Sequence, residues 1–132
     1  MQSRTFAHLT AVLSILSSPA LLAHHSNAMY ERDKVVDVTG TIREFQWTNP
    51  HTFIELTVDG PTGPYNYTIE GPTPGVLRSQ GWKFNTLKAG DKVTVKVHPL
   101  KSGRVGGGLV SVTKDGVTIQ AGSATQTDKS YK

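Results

Sequence analysis

Val93, Val95 and Val97 alternate with Lys92, Thr94, Lys96 and His98, and Ile54, Leu56 and Val58 alternate with Glu55, Thr57 and Asp59. Apolar residues at every second position turn one face of an extended strand toward a core and the other toward water. The pattern recurs along the chain and commits it to an all-β fold. At 132 residues there is room for one domain and not two.

Taken in order, the strands are expected over Val35 to Trp47, Thr52 to Val58, Tyr65 to Glu70, Lys92 to His98 and Leu109 to Thr113. Gly40 in the middle of the first suggests a bulge or a sharp coil. Asn49-Pro50 marks the corner between the first two, because proline fixes its own φ and biases the residue before it toward extended backbone. Asp59 to Gly63 is a hairpin loop of turn-formers. Asp115-Gly116 predicts a short hairpin with a continuation through Ile119. Between the third and fourth strands, Thr73 followed by Pro74 is an N-cap and first-turn pair for a helix over Val76 to Gln80, which Gly81 ends.

Five strands with one short helix between strands three and four match the order of a small OB-like Greek-key barrel. An open β-sandwich is the alternative. The barrel is preferred because closure removes unpaired strand edges.

The ends of the chain read differently. Residues 1–23 have a basic start at Arg4, an apolar run from Leu9 to Leu16 and a small-residue exit, the pattern of a secretory signal peptide. Ser14, Ser17, Ser18 and Pro19 interrupt a run already short of the roughly 20 apolar residues that span a bilayer. Cleavage after Ala23 leaves His24 first; a cut after Ala20 has a small residue, Ser18, where the other has Leu21. Residues 24–34 form an N-terminal arm that Met29 and Tyr30 would pin to the domain, 35–120 the barrel, and 121–132 a Ser, Thr, Gln and Lys tail expected to be disordered.

The chain has no cysteine, which excludes disulfides, thiolate chemistry and a lipoprotein anchor. The net charge of +4 is mild and its basic residues are scattered, so no nucleic-acid footprint is expected. No membrane anchor remains once the leader is removed. Lys101 to Gly108 is rich in glycine but lacks the Gly-Lys-Ser/Thr ending of a phosphate loop, and reads as a mobile connection.

Chemistry concentrates in the histidines. Imidazole is the commonest metal ligand, and a free α-amine beside it closes a chelate suited to Cu(II). With His24 first, its amine and ring would bind copper, with His51, preferred over His98, as a further nitrogen ligand; with Ala23 first, His25 becomes the third residue of an amino-terminal copper motif. The bland alternatives are a solvated stub for His24 and His25 and a capping role for His51, while His98 lies on an outward face beside Pro99. A second candidate is an aromatic groove for a small organic or saccharide ligand, drawn from Trp47, Asn49, Phe53, Glu70, Arg78 and Trp82. Glu70 is expected near Trp47 or Arg78. Glu44, Glu55 and Glu70 are not forced together, so no catalytic constellation is identified and an enzyme is not expected.

His24-His25-Ser26 after the leader, Val38-Thr39-Gly40-Thr41, Glu44 to His51, Leu77-Arg78 with Gly81-Trp82, and Leu87 to Val95 together resemble a family of small exported bacterial proteins known as a domain of unknown function. Trp47-Thr48-Asn49-Pro50-His51 is the most specific element of the resemblance, which spans His24 to Thr113. It implies a periplasmic home in Gram-negative bacteria and brings no activity with it. His98 and the tail after Gly122 fall outside the pattern. The expected function is a periplasmic OB-like binding domain whose partner is copper, through His24, His25 and His51, or a small ligand in the aromatic groove.

Overall fold

The computed structural model describes residues 26–122. A single 3-10 turn, Ser26–Met29, precedes β1 (Val36–Gln46), β2 (Phe53–Gly60), β3 (Gly63–Glu70), α1 (Pro74–Ser79), β4 (Lys92–Pro99), β5 (Gly107–Lys114) and β6 (Val117–Gln120). Neighbouring strands run in the order β3-β2-β1-β4-β5-β6, all antiparallel. A parallel pairing of Ile69 and Glu70 with Gly107 and Gly108 closes the first five into a barrel. This is the OB-like architecture that the strand pattern predicts, with the hairpin continuation forming a sixth strand outside the barrel.

The long first strand makes closure possible. Its first half pairs with β4, Val36 opposite Val97 through Thr41 opposite Lys92, and its second half with β2, Thr41 opposite Thr57 through Gln46 opposite Phe53. Between them the register slips at Arg43, which has no partner on β2. The bulge therefore lies at Arg43 and not at Gly40. Gly40 answers a different demand, since a Cβ there would stand 2.6 Å from the Thr57 carbonyl oxygen. A bare Cα lets two backbones approach where the strand coils.

Alternation fills the interior as expected. Ile42, Ile54, Leu56, Ile69, Val95 and Val97 are all but sealed from solvent. Leu77 of α1 joins this core with Trp82, whose backbone N–H donates to the Leu77 carbonyl at 3.1 Å. Thr73 caps the helix, its hydroxyl accepting from the Val76 N–H at 3.2 Å. The β5–β6 hairpin turns through Asp115 and Gly116, both at positive φ (50° and 77°), as a two-residue primed turn requires. Asp91 fixes the entry to β4. Its carboxylate accepts from Lys114 Nζ (2.6 Å) and from the Lys88 N–H (2.8 Å), which hold its carboxyl below the usual range.

One boundary and one loop differ from expectation. Ala121 belongs to the core rather than to the tail: it is buried and its N–H donates to the Val110 carbonyl at 2.9 Å. Residues 123–132 lie outside the described region. The glycine-rich segment before β5 is tied together by turn hydrogen bonds, from the Gly103 N–H to the Leu100 carbonyl (3.0 Å) and from the Leu100 N–H to the Gly106 carbonyl (3.3 Å). Its glycines supply the positive φ those turns need, 72° at Gly103 and 141° at Gly106.

Candidate functional site

The β1–β2 corner is sewn to the segment that leaves β3. Asn49-Pro50 is a cis peptide, and the Thr48 hydroxyl donates to the His51 carbonyl at 2.8 Å. Thr52, fully buried, donates from both its N–H (3.2 Å) and its hydroxyl (2.9 Å) to the Pro72 carbonyl, and accepts from the Gly71 N–H (2.8 Å). These bonds hold His51 beside Glu70 and Gly71.

Two acceptors face the same imidazole nitrogen. His51 Nδ1 lies 3.2 Å from Glu70 Oε1 and 3.3 Å from the Gly71 carbonyl oxygen. A nitrogen between two acceptors carries the proton, so the neutral ring keeps its lone pair on Nε2. The side chain remains about one-third exposed. The other oxygen of Glu70 accepts from the Tyr30 hydroxyl at 2.6 Å. Burial first, then that hydrogen bond and the negative charge of Glu70, push the Tyr30 phenol well above its ordinary range.

Tyr30 is placed by the barrel itself. The arm runs antiparallel along the end of β4: Tyr30 bridges Leu100, the Glu31 N–H donates to the Pro99 carbonyl (2.9 Å) and the Lys101 N–H to the Met29 carbonyl (2.9 Å). Its ring covers Gly108, where a Cβ would come within 3.3 Å of it. Gly108 is also the parallel partner of Glu70. The missing side chain on β5 thus makes the space through which the arm reaches the carboxylate.

The residues expected to form an aromatic groove do not come together as one surface. Trp82 is core, 1% exposed, with Nε1–H donating to the Gln120 carbonyl at 2.7 Å. Trp47 is half-buried; Phe45 meets its ring edge-on at 5.6 Å and the Arg78 guanidinium lies 5.6 Å from its centroid. Phe53 is half-buried opposite both Gln46 and Glu70, and Asn49 is exposed at the corner. Glu70 is engaged by His51 and Tyr30.

Of the expected metal ligands, His51 is the one the structure describes; His24 and His25 lie outside the described residues. Among the described residues no group of three or more His, Asp or Glu side chains is arranged to hold a metal ion. His98 is half-buried with Nδ1 2.8 Å from the Lys34 carbonyl oxygen. Tyr30 is the member that sequence reading missed, having been taken only as an anchor for the arm. The position of Glu70 was within reach of register arithmetic. Counting back from Gly60 opposite Gly63 pairs Phe53 with Glu70, two residues from His51.

Residues 11–110 match a family of unknown function, DUF6152. The chain belongs to that family. No curated protein matches the chain. The DUF6152 match takes in Tyr30, His51 and Glu70 and stops within β5, so β6 lies beyond it.

Proposed function

We propose that this DUF6152 domain is an exported, periplasmic binding protein for a copper ion, held by Nε2 of His51 together with nitrogen donors from His24 and His25. The observation that carries the reading is the arrangement at His51 Nδ1. A metal-binding imidazole commonly donates its second N–H to a carboxylate or a backbone carbonyl, which fixes the tautomer and aims the ring. Glu70 and Gly71 together meet that requirement. Glu70 is in turn bound to Tyr30, the arm residue five positions after His25. Five residues span at most about 17 Å when extended, and the reading requires the arm to bring His24 and His25 to His51 within that reach.

Copper suits the donor set. Neutral imidazoles and an amine are borderline nitrogen ligands that Cu(II) binds ahead of other divalent first-row ions, and the chain offers no thiolate to favour a softer site. The aromatic groove has less support, because Trp82 is sealed in the core and Arg78 covers Trp47. No nucleic-acid partner and no membrane anchor after leader removal are part of this reading.

Calorimetric titration of the processed protein with Cu(II) tests it. His51→Ala is expected to weaken binding at least tenfold. Glu70→Gln, which keeps the shape but loses the carboxylate, is expected to weaken it roughly 10- to 100-fold, as removal of such supporting groups typically does. Unchanged affinity in His51→Ala would remove the barrel from the site.

A further inference from the structure

The loop between β4 and β5 is built, not slack, and one side of it faces the N-terminal turn across an open cleft. The cleft has a volume of ≈ 390 Å³ and is lined by Ala28, Met29, Leu100, Lys101, Ser102 and Arg104. That size falls within the range of roughly 300–1,000 Å³ found for small-molecule sites. Its two walls are joined by the hydrogen bond from the Lys101 N–H to the Met29 carbonyl and by the Tyr30 to Leu100 bridge. The loop is closed on itself through Leu100, Gly103 and Gly106. The backbone of both walls is therefore held in place by hydrogen bonds.

Its chemistry is two-sided. Met29, Leu100 and Ala28 supply an apolar wall, and Met29 stands 47% exposed. Lys101, Arg104 and the Ser102 hydroxyl form the polar rim. Among the described residues neither Lys101 nor Arg104 has a carboxylate within ion-pair distance; Glu31, on the same arm, pairs with Lys34 at 3.6 Å. Two uncompensated cations beside an apolar wall select a ligand with one anionic end and one apolar end. The corresponding loop of OB-type barrels is one of the two that bind ligands.

We infer that this cleft binds a free, medium-chain carboxylate, with the carboxylate between Lys101 and Arg104 and the chain against Met29 and Leu100. The site is separate from the copper reading and does not rest on it. A thioether adapts its shape to a flexible chain better than a branched side chain does, and a guanidinium holds a carboxylate through two parallel N–H bonds.

Titration of ¹⁵N-labelled protein with sodium decanoate, kept below its micelle concentration, tests the inference by NMR. Saturable shifts centred on Met29, Leu100, Lys101 and Arg104 are expected, weakened at least tenfold in a Lys101→Glu, Arg104→Glu double variant. A Lys83→Glu, Lys88→Glu control, with the same net charge, is expected to bind as the parent does, and copper affinity to be unaltered in both variants. The inference is overturned if no saturable shifts occur, if they centre elsewhere, if decanol binds as tightly, if the control weakens equally, or if binding is seen only with anionic lipid vesicles.

Discussion

Both oxygens of Glu70 are engaged by partners distant in sequence: Oε1 faces His51 and Oε2 accepts from Tyr30. One carboxylate thereby fixes the imidazole tautomer and the position of the arm. The Tyr30 phenol, raised first by its burial and then by Glu70, titrates accordingly. Folding raises its pKa above the value near 10 of an unfolded tyrosine. The unfolded state thus loses its proton first, so the stabilisation is complete below about pH 10 and is lost as pH rises above it, by at most about 1.4 kcal/mol per unit. Tyr30→Phe lacks that titration. Urea midpoints of the parent and Tyr30→Phe should differ by a constant amount from pH 7 to 9 and converge above pH 10; a gap that stays constant to pH 11 would contradict a phenol raised by burial and by Glu70. Tyr67, also raised by burial, is present in both proteins and cancels.

Among the elements, β1 shows how much of the fold the sequence carries. Alternation located every barrel strand because burial of one face has a fixed period of two, and Thr73-Pro74 located the helix because capping is local. Gly40 left a bulge and a sharp coil open because a glycine in a strand has two physical meanings, an extra residue or a close backbone approach; the Thr57 carbonyl decides for the second, and the bulge lies at Arg43. Gly40→Ala is accordingly expected to cost about 1–3 kcal/mol, the usual range for overpacking, measured as a lower urea midpoint. A neutral effect would place the close approach elsewhere. The same limit hid the site. His51 was legible as a candidate, but its pairing with Glu70 depends on strand register, and Tyr30 joins it through a contact forty residues away in sequence. Trp82 was legible both as a residue that needs burial and as a groove candidate, because an indole after a helix looks alike whether it lines a surface or fills a core; burial holds, and Gln120 of β6, a strand outside the barrel, takes its N–H.

For the whole molecule, closure brings together what the chain separates. The end of β3 meets the start of β5 through two residue pairs, and at that seam the β1–β2 corner, the N-terminal arm and the β4–β5 loop converge. The proposed copper ligand and the cleft lie on either side of Tyr30, which is hydrogen-bonded toward one and bridged to a wall of the other. The central claim, that the barrel and the arm share one ion, is tested most directly by native mass spectrometry of the protein expressed from its full chain and loaded with copper. The parent, His51→Ala and a His24→Ala, His25→Ala variant would be compared in parallel. The account predicts a mature chain that begins at His24 or Ala23 and carries one copper in the parent, with the copper lost in both variants. Copper retained by His51→Ala, or by the chain without its arm histidines, would contradict it.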